Sequence, residues 1–165
     1  METMSYCLWF DGEAERAAEF YVSVFRDSRI VRVSRYPEGS PGTPGTVMTV
    51  QFVLNGHDFL ALNGGPQYSF TPAISFVMTC DTQDEIDELW ERLTDGGQEV
   101  ACGWLTDRFG VSWQIVPKAL GEMMASPDKA AGQRAFSAMM EMKKLDLPAL
   151  RRAFEGADPA GAATG

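Results

Sequence analysis

Two stretches of the sequence repeat the same order of predicted elements, and this repeat constrains the fold more than any other feature. In each stretch a strand-like run precedes an amphipathic helix, and further strand-like runs follow it. The apolar helix faces correspond at a constant offset of 69 positions, with Ala17, Phe20, Tyr21 and Val24 matching Ile86, Leu89, Trp90 and Leu93. The same offset aligns Leu8 with Val77 and Tyr6 with Ser75. We therefore predict two βαβββ modules.

Local sequence patterns predict the helices and strands of each module. The first module is predicted to contain a helix from Glu13 to about Arg26 and strands at 5–10, 29–36, 46–54 and 57–63. Asn55-Gly56 suits the positive φ angles of a type I′ turn and predicts a hairpin between the last two strands. The second module is predicted to contain a strand at 73–79, a helix capped by Asp81 or Thr82 and ended by Gly96-Gly97, and a hairpin from Cys102 to Pro117.

The hairpin from Cys102 to Pro117 carries an isolated polar position. Alternation along its exit strand places Ser112, Gln114 and Val116 on one face and Val111, Trp113 and Ile115 on the other. Gln114 is thus a polar side chain between bulky apolar neighbours, which makes it a candidate site residue.

After Pro117 the chain becomes helical and rich in methionine. We predict C-terminal helices over 118–156, packed on the preceding domain or on a partner subunit, and a disordered Ala/Gly-rich tail over 157–165. Ala135, Met139, Met142 and Phe136 are predicted to form an apolar stripe there. The two modules, at about 5–66 and 72–117, form one domain over 1–117, so the fold class is α+β.

Charge and cysteine content exclude several classes of function. A net charge of -9 disfavours binding to nucleic acid or to an anionic membrane, because both partners are bound through Lys and Arg. Three cysteines without Cys-x-x-Cys spacing indicate neither a disulfide framework nor a zinc knuckle. No stretch approaches the roughly 20 apolar residues of a membrane span, and we expect a cytoplasmic protein.

A candidate binding site follows from the predicted modules. Each sheet would have one face covered by its helix and one open face, so two modules could enclose a pocket. The residues assigned to this pocket are an aromatic lining with a few hydrogen-bonding groups: Trp9, Phe70, Trp104, Tyr6, Asn63, Ser75 and Gln114. Such a lining suits a small apolar or aromatic molecule.

Several sequence segments, in the same order along the chain, resemble a known family. They are Leu8–Gly12, Phe20–Phe25, Ala61–Pro66, Phe70–Phe76, Cys102–Leu105 and Asp107–Pro117. They are similar to the PhnB-like branch of the vicinal oxygen chelate (glyoxalase/bleomycin-resistance) superfamily over roughly residues 5–155. The resemblance implies paired βαβββ modules forming a cupped mixed sheet, with frequent dimers, so we expect a homodimer.

The resemblance also implies positions for a metal ion and an enzymatic activity, which we compare here with the residues present. Metal-dependent members bind a divalent ion through His, Glu or Gln at positions that correspond here to Tyr6, Leu60 or Ala61, Ala73 or Ser75, and Gln114. Only Gln114 is a credible ligand, and we expect no metal or other cofactor. Members are often labelled 3-demethylubiquinone 3-methyltransferase, but neither Gly64-Gly65 nor Gly96-Gly97 opens a helix as an S-adenosylmethionine loop requires.

Other reactive side chains have plausible structural roles. His57 follows the Asn55-Gly56 turn and is expected at the surface, although a site formed with Asp58 stays open. Cys7, Cys80 and Cys102 are interpreted as buried, inert thiols because no activating partner is evident. Asp107 could organise the hairpin turn and Arg108 could form a surface ion pair; acid/base work or binding of a substrate carboxylate is the alternative.

Three hypotheses for function follow. The first is binding of a small molecule without a metal. The second is a metal-dependent lyase, isomerase or dioxygenase of the same superfamily, using Gln114 and ligands not recognised in the sequence. The third is an interaction protein that works through its methionine-rich C-terminal helices.

Overall fold

The computed structural model describes residues 4–157, and the chain divides after Phe70 into two compact units. The first unit contains β1 (Tyr6–Phe10), α1 (Ala14–Val24), β2 (Arg29–Arg35), β3 (Val47–Leu54) and β4 (His57–Asn63). The second contains β5 (Ser75–Cys80), α2 (Gln83–Thr94), β6 (Gln98–Glu99), β7 (Trp104–Thr106) and β8 (Ser112–Pro117). The second unit continues with α3 (Lys118–Ala125), α4 (Lys129–Met140) and α5 (Leu147–Glu155). The α+β class and the two βαβββ modules are confirmed.

Both modules have the same sheet topology. The strand orders are β1-β4-β3-β2 and β5-β8-β7-β6, so the first strand of each module lies beside the last. That pair is parallel in both sheets, and the other pairs are antiparallel hairpin neighbours. A repeated topology of this kind is stronger evidence for a duplicated module than the helix periodicity alone.

Aromatic rings join helix α1 to its sheet. Tyr21 is fully buried and stacks on Phe52 of β3, with 6.4 Å between ring centroids. Phe52 in turn stacks on Phe59 of β4 at 5.4 Å. Ala14, Ala17 and Ala18 are also buried, and such small side chains let a helix approach a sheet closely. One face of the first sheet is therefore covered by its own helix.

Two local signals in the sequence are confirmed in detail. Asn55 and Gly56 have φ angles of 46° and 79°, as a type I′ turn requires, and the turn pairs Leu54 with His57. Thr82 caps α2, since its side chain accepts a hydrogen bond from the Glu85 N–H while the Glu85 carboxylate accepts one from the Thr82 N–H.

The second sheet is covered by α2 in the same way. Ile86, Trp90 and Leu93 are buried on the helix, and Leu89 is half-buried. The matching sheet residues Leu105, Trp113 and Ile115 are also buried. The alternation predicted for β8 is correct, because Trp113 and Ile115 face α2 and Gln114 lies on the opposite face.

The alignment of the two modules needs one correction. The offset of 69 positions holds for the helices, but it places Leu8, which is buried on the helix-covered face, opposite Val77, which is 54% exposed on the other face. The strands align at an offset of 70, as from Phe10 to Cys80, which end β1 and β5. The cause is the strand-to-helix connection, which has three residues (11–13) in the first module and two (81–82) in the second.

The C-terminal extension, residues 118–157, packs on the second module. The Gln83 side chain on α2 donates to the Leu145 carbonyl (3.1 Å) and accepts from the Leu147 N–H (2.7 Å). The backbone N–H groups of Cys102 and Gly103 donate to the carbonyls of Met142 and Lys143. Leu145 and Leu150 are fully buried, so the extension continues the core of the second unit.

The predicted apolar stripe of the extension is only partly correct. On α4 the buried residues are Ala131, Gly132 and Ala135, whereas Phe136 is 43% exposed. The predicted disordered tail lies outside the described residues, apart from Ala157. Within residues 4–157, every helix is too short or too polar to cross a bilayer.

Candidate ligand-binding site

Each sheet has an open face, defined here as the face opposite its own helix. On the first sheet two rows of cross-strand neighbours form this face: Cys7, Leu60, Gln51 and Arg32, and beside them Trp9, Leu62, Thr49 and Ser34. Gln51, Arg32 and Cys7 are exposed, while Leu60 and Leu62 are half-buried. This face therefore combines apolar surface with a few hydrogen-bonding groups.

The open face of the second sheet brings three of the predicted site residues together. Gln114 of β8 lies between Val77 of β5 and Trp104 of β7 in the strand register. Its Nε2 donates a hydrogen bond of 2.9 Å to Ser75 Oγ. Ser75, Trp104 and Gln114 are all half-buried. An aromatic ring, an amide and a hydroxyl thus share the face of the second sheet opposite α2.

Trp9 lies on the open face of the first sheet, but its indole is held by a neighbouring loop. The indole N–H donates to the Gly65 carbonyl at 2.8 Å, and the ring meets Tyr68 edge-on at 5.1 Å. A Cβ atom at position 64 would lie 2.2 Å from the ring, so only glycine fits there. The Gly64-Gly65 loop therefore positions the indole.

Tyr6, Asn63 and Phe70 are not brought to an open face. The Tyr6 ring contacts Phe59 at 5.1 Å on the helix-covered side. The Asn63 amide is bonded at both ends, because Oδ1 accepts from the Ala14 N–H at the start of α1 and Nδ2 donates to the Val47 carbonyl. Phe70 packs edge-on against the buried Phe10 ring at 5.2 Å. A role for these three side chains in ligand binding stays a prediction.

The Asp107 side chain organises the hairpin, as one interpretation of the sequence expected. It is 3% exposed and accepts hydrogen bonds from the N–H groups of Phe109 and Val111 and from the Trp113 indole. Arg108 forms an ion pair with Asp95 at the surface. Both residues therefore have structural partners within the second module.

The other reactive side chains are scattered. His57 is exposed beside the turn, 6.5 Å from the Tyr6 ring between centroids. Cys80 is buried, and burial together with Glu85 and Asp81 raises its pKa to about 11. Cys7 is exposed, contrary to the interpretation that it is buried, although partial burial of the thiol still raises its pKa. Cys102 is half-buried and lies 3.7 Å from the Met140 sulfur.

The side chains at the implied metal positions do not form a metal-binding site. Tyr6 faces the helix-covered side, Leu60 and Ala61 offer no donor atom, and the Gln114 amide is bonded to Ser75. In the part of the chain that the structure describes, no group of three or more His, Cys, Asp or Glu side chains is placed to hold a metal ion. The donor set thus does not fit the ion that metal-dependent relatives bind.

A glycine-rich cofactor loop is likewise not found among residues 4–157. The connections that lead from a strand into a helix are 11–13 and 81–82, and β8 runs directly into α3. Only Gly12 occurs in them. The backbone arrangement that lets S-adenosylmethionine approach a helix N-terminus is therefore missing from these connections.

Sequence reasoning missed part of the open faces. Cys7, Leu62 and Val77 lie there beside the predicted residues, and so does Leu60, which the resemblance named only as one of two positions for a metal ligand. Strict alternation from Trp9 identifies Cys7, and alternation from Ser75 identifies Val77. Leu60 and Leu62 can be placed beside Cys7 and Trp9 only when the parallel register between β1 and β4 is known, and the sequence does not reveal that register.

The fold defines the class to which this chain belongs. Two βαβββ modules, each with the first and last strands side by side and one open face, are the architecture of the vicinal oxygen chelate superfamily. The family model described as 3-demethylubiquinone-9 3-methyltransferase matches residues 2–116. The chain belongs to this family, which includes the PhnB proteins.

Solved structures support the same assignment. A protein from Bacillus cereus, described as a PhnB protein and putative 3-demethylubiquinone-9 3-methyltransferase, is 38% identical with a TM-score of 0.65. The match covers 70% of this chain and 99% of the B. cereus protein. A Pseudomonas aeruginosa protein (20% identity, TM-score 0.58, 71% and 98% covered) and the fosfomycin resistance protein FosX of Mesorhizobium loti (16%, 0.56, 76% and 98%) share the fold. A search of curated proteins gave no match.

Proposed function

We propose that this chain binds a small apolar or aromatic molecule on the open face of the second sheet, without a metal ion. The observation that carries the proposal is the grouping of Trp104, Gln114 and Ser75, all half-buried, on the face of the second sheet opposite α2. An indole supplies stacking area, and the amide and hydroxyl orient a polar group of the ligand. Val77 adds exposed apolar area beside them.

The proposal that the ligand binds without a metal ion rests on the side chains of the open face of the second sheet. The nearest polar groups on this face are the neutral side chains of Ser75 and Gln114. A neutral amide and a hydroxyl hold a divalent transition metal weakly compared with imidazole or carboxylate. The FosX protein of Listeria monocytogenes was solved with Mn(II), but it shares only the fold with this chain, at 13% identity.

The test is a thermal-shift screen with small aromatic compounds, on protein treated with EDTA and then repeated with metals. A ligand at 100 times its dissociation constant stabilises the folded state by about 2.7 kcal/mol, which raises Tm by about 5–10 °C for a chain of this size. The expected result is a saturable shift that is equal with and without metal. Retention of one equivalent of Zn²⁺, Mn²⁺, Ni²⁺ or Fe²⁺ after dialysis would overturn the metal-free proposal.

Two alanine variants, one inside the proposed site and one outside it, test where the ligand binds. Gln114→Ala is expected to weaken binding of a hit by about tenfold, since a lost hydrogen bond is worth about 1 kcal/mol or slightly more. Gln133→Ala is the matched control, because Gln133 is an exposed glutamine on α4, a helix that packs on α3 and α5. Equal affinities for the two variants would place the ligand elsewhere.

A further inference from the structure

Two sulfur atoms from distant parts of the sequence meet at the surface of the second unit. Cys102 lies in the loop before β7, and Met140 is the last residue of α4. The Cys102 Sγ atom lies 3.7 Å from the Met140 Sδ atom. Cys102 is half-buried and Met140 is 51% exposed, so an ion from solvent can reach the pair.

The backbone around Cys102 holds its side chain beside α4. The Cys102 N–H donates to the Met142 carbonyl at 2.8 Å, and the φ angle of Cys102 is 60°. Apart from glycines, the described residues with positive φ are Cys102, Asp27 and Asn55. Aspartate and asparagine adopt such angles more readily than cysteine does. Glycine would relieve this strain, so the backbone conformation does not account for a thiol at position 102.

The donor atoms and their separation suit a soft monovalent metal ion. Two sulfur ligands with metal–sulfur bonds of about 2.3 Å and a tetrahedral angle between them lie about 3.8 Å apart, close to the separation of this pair. Thiolate and thioether sulfur are soft ligands that select Cu(I). A structural Zn²⁺ ion takes four ligands, and within residues 4–157 no group of three or more His, Cys, Asp or Glu side chains is placed to supply them.

The charges near the sulfur pair are compatible with a cation. Met140 ends α4, and the C-terminus of a helix carries a partial negative charge. Glu141 follows it and is exposed. Lys143 and Lys144 come next in the chain, and each forms an ion pair with an acidic residue of the second module. An ion at the sulfur pair is therefore not opposed by an unpaired charge from these two lysines.

From these observations we propose that Cys102 and Met140 form a binding site for Cu(I). The ion bonds to the Cys102 thiolate and to the Met140 thioether, and the thiol proton is released to solvent. Five of the nine methionines of the chain lie between positions 123 and 142, so the extension is rich in the same soft donor.

This site is distinct from the metal position of the superfamily. Cys102 and Met140 are not among the residues at the implied metal positions, and Met140 lies beyond residue 116, where the family match ends. Neither residue belongs to the group of Ser75, Trp104 and Gln114. The inference is therefore independent of the proposed ligand-binding function.

Anaerobic competition with bicinchoninate, a chromophoric chelator of Cu(I), measures the affinity. In a background of Cys7→Ser, which removes the exposed thiol, the chain should bind one equivalent of Cu(I). Cys102→Ser and Met140→Leu should each weaken binding by at least tenfold, whereas Met124→Leu, at another exposed methionine of the extension, should leave it unchanged. Equal affinities of Met140→Leu and Met124→Leu would reduce the site to a single thiol and overturn the proposal. Binding of half an equivalent, with one ion bridging two copies, would also overturn it.

Methyl NMR provides a second measurement on protein that keeps both ligands. The chain is labelled with ¹³C at the methionine methyl groups and titrated with Ag(I), a soft monovalent ion that needs no reductant. The Met140 methyl resonance, assigned through Met140→Leu, should shift and stop changing at one equivalent, while the Met124 resonance stays in place. A Met140 resonance that does not shift, or equal shifts of the two resonances, would overturn the proposal.

Discussion

The indole N–H of Trp113 donates a hydrogen bond of 2.8 Å to Asp107 Oδ2, and both side chains are almost fully buried. The other carboxylate oxygen accepts from the backbone N–H groups of Phe109 and Val111. One carboxylate therefore satisfies three donors where β7 turns into β8. The aspartate and the tryptophan that make the hairpin from Cys102 to Pro117 distinctive in the sequence therefore have a structural role.

Replacement of Asp107 should lower stability strongly. Asp107→Ala leaves the indole and two backbone N–H groups without their acceptor, and we expect the free energy of unfolding to fall by about 2–4 kcal/mol. Urea denaturation followed by tryptophan fluorescence measures this loss. Arg108→Gln is the comparison, because its exposed ion pair with Asp95 is worth less than about 1 kcal/mol. Similar losses for the two variants would contradict the structural role of Asp107.

The three thiols should react at clearly different rates. Cys7 is exposed, Cys102 is half-buried, and Cys80 is buried with a pKa of about 11. At pH 8, iodoacetamide should alkylate Cys7 first and Cys80 last, with each rate rising as pH increases because the thiolate is the nucleophile. Peptide mapping by mass spectrometry gives the order. Labelling of Cys80 in folded protein as fast as Cys7 would contradict the burial of Cys80.

Gln83 should couple the C-terminal extension to the second module. Its amide bonds the Leu145 carbonyl and the Leu147 N–H, so Gln83→Ala removes two hydrogen bonds at the start of α5. The expected cost is about 1–3 kcal/mol, together with faster proteolysis within residues 118–157. Gln98→Ala, at an exposed glutamine of β6, should change neither quantity. Unchanged proteolysis in Gln83→Ala would show that other contacts hold the extension.

Acid should release one electrostatic contact of the extension. Lys144 donates to Asp87 at 2.6 Å, and this bond, with one from Gln83, lowers the pKa of Asp87 below its ordinary value of 3.8. Because the pKa of Asp87 is lower in the folded state, the ionised carboxylate contributes its full stabilisation above pH 3.8. This stabilisation is lost as the pH falls through the lower folded-state pKa. The stability difference between wild type and Asp87→Asn should therefore shrink below about pH 4. The same difference at pH 3 and pH 6 in urea titrations would contradict this linkage.

Much of the fold could be predicted because local chemistry determined it. Asn55-Gly56 suits one turn type, Thr82 with Glu85 forms a capping box, and Asp146 caps α5. The predicted offset of 69 positions was wrong for the strands. The periodicity of the helices does not reveal that the first strand-to-helix connection is one residue longer than the second. The exposure of Phe136 was also missed, since an apolar stripe does not reveal which of its members a neighbour covers.

The candidate site was harder to predict than the fold. Alternation along β8 predicted that Gln114 lies on the face opposite Trp113 and Ile115, and the structure agrees. That Ser75 and Trp104 share this face depends on the register of β8 with β5 and β7, which alternation along one strand does not reveal. Asn63 was assigned to the pocket from its polarity alone, but its amide caps α1 and bonds the Val47 carbonyl. The sequence shows that a polar group is present, whereas its partners depend on which strands become neighbours.

The unequal connections, 11–13 and 81–82, also set a rule for engineering this chain. A chimera that exchanges the two strand–connection–helix segments by matching their helices would shift the transplanted strand by one residue. Every side chain of that strand would then change faces, which would bury Cys7 and Trp9 under a helix and expose Leu8. Exchanges between the halves are therefore compatible with folding only when each strand is transferred together with a connection of its own length.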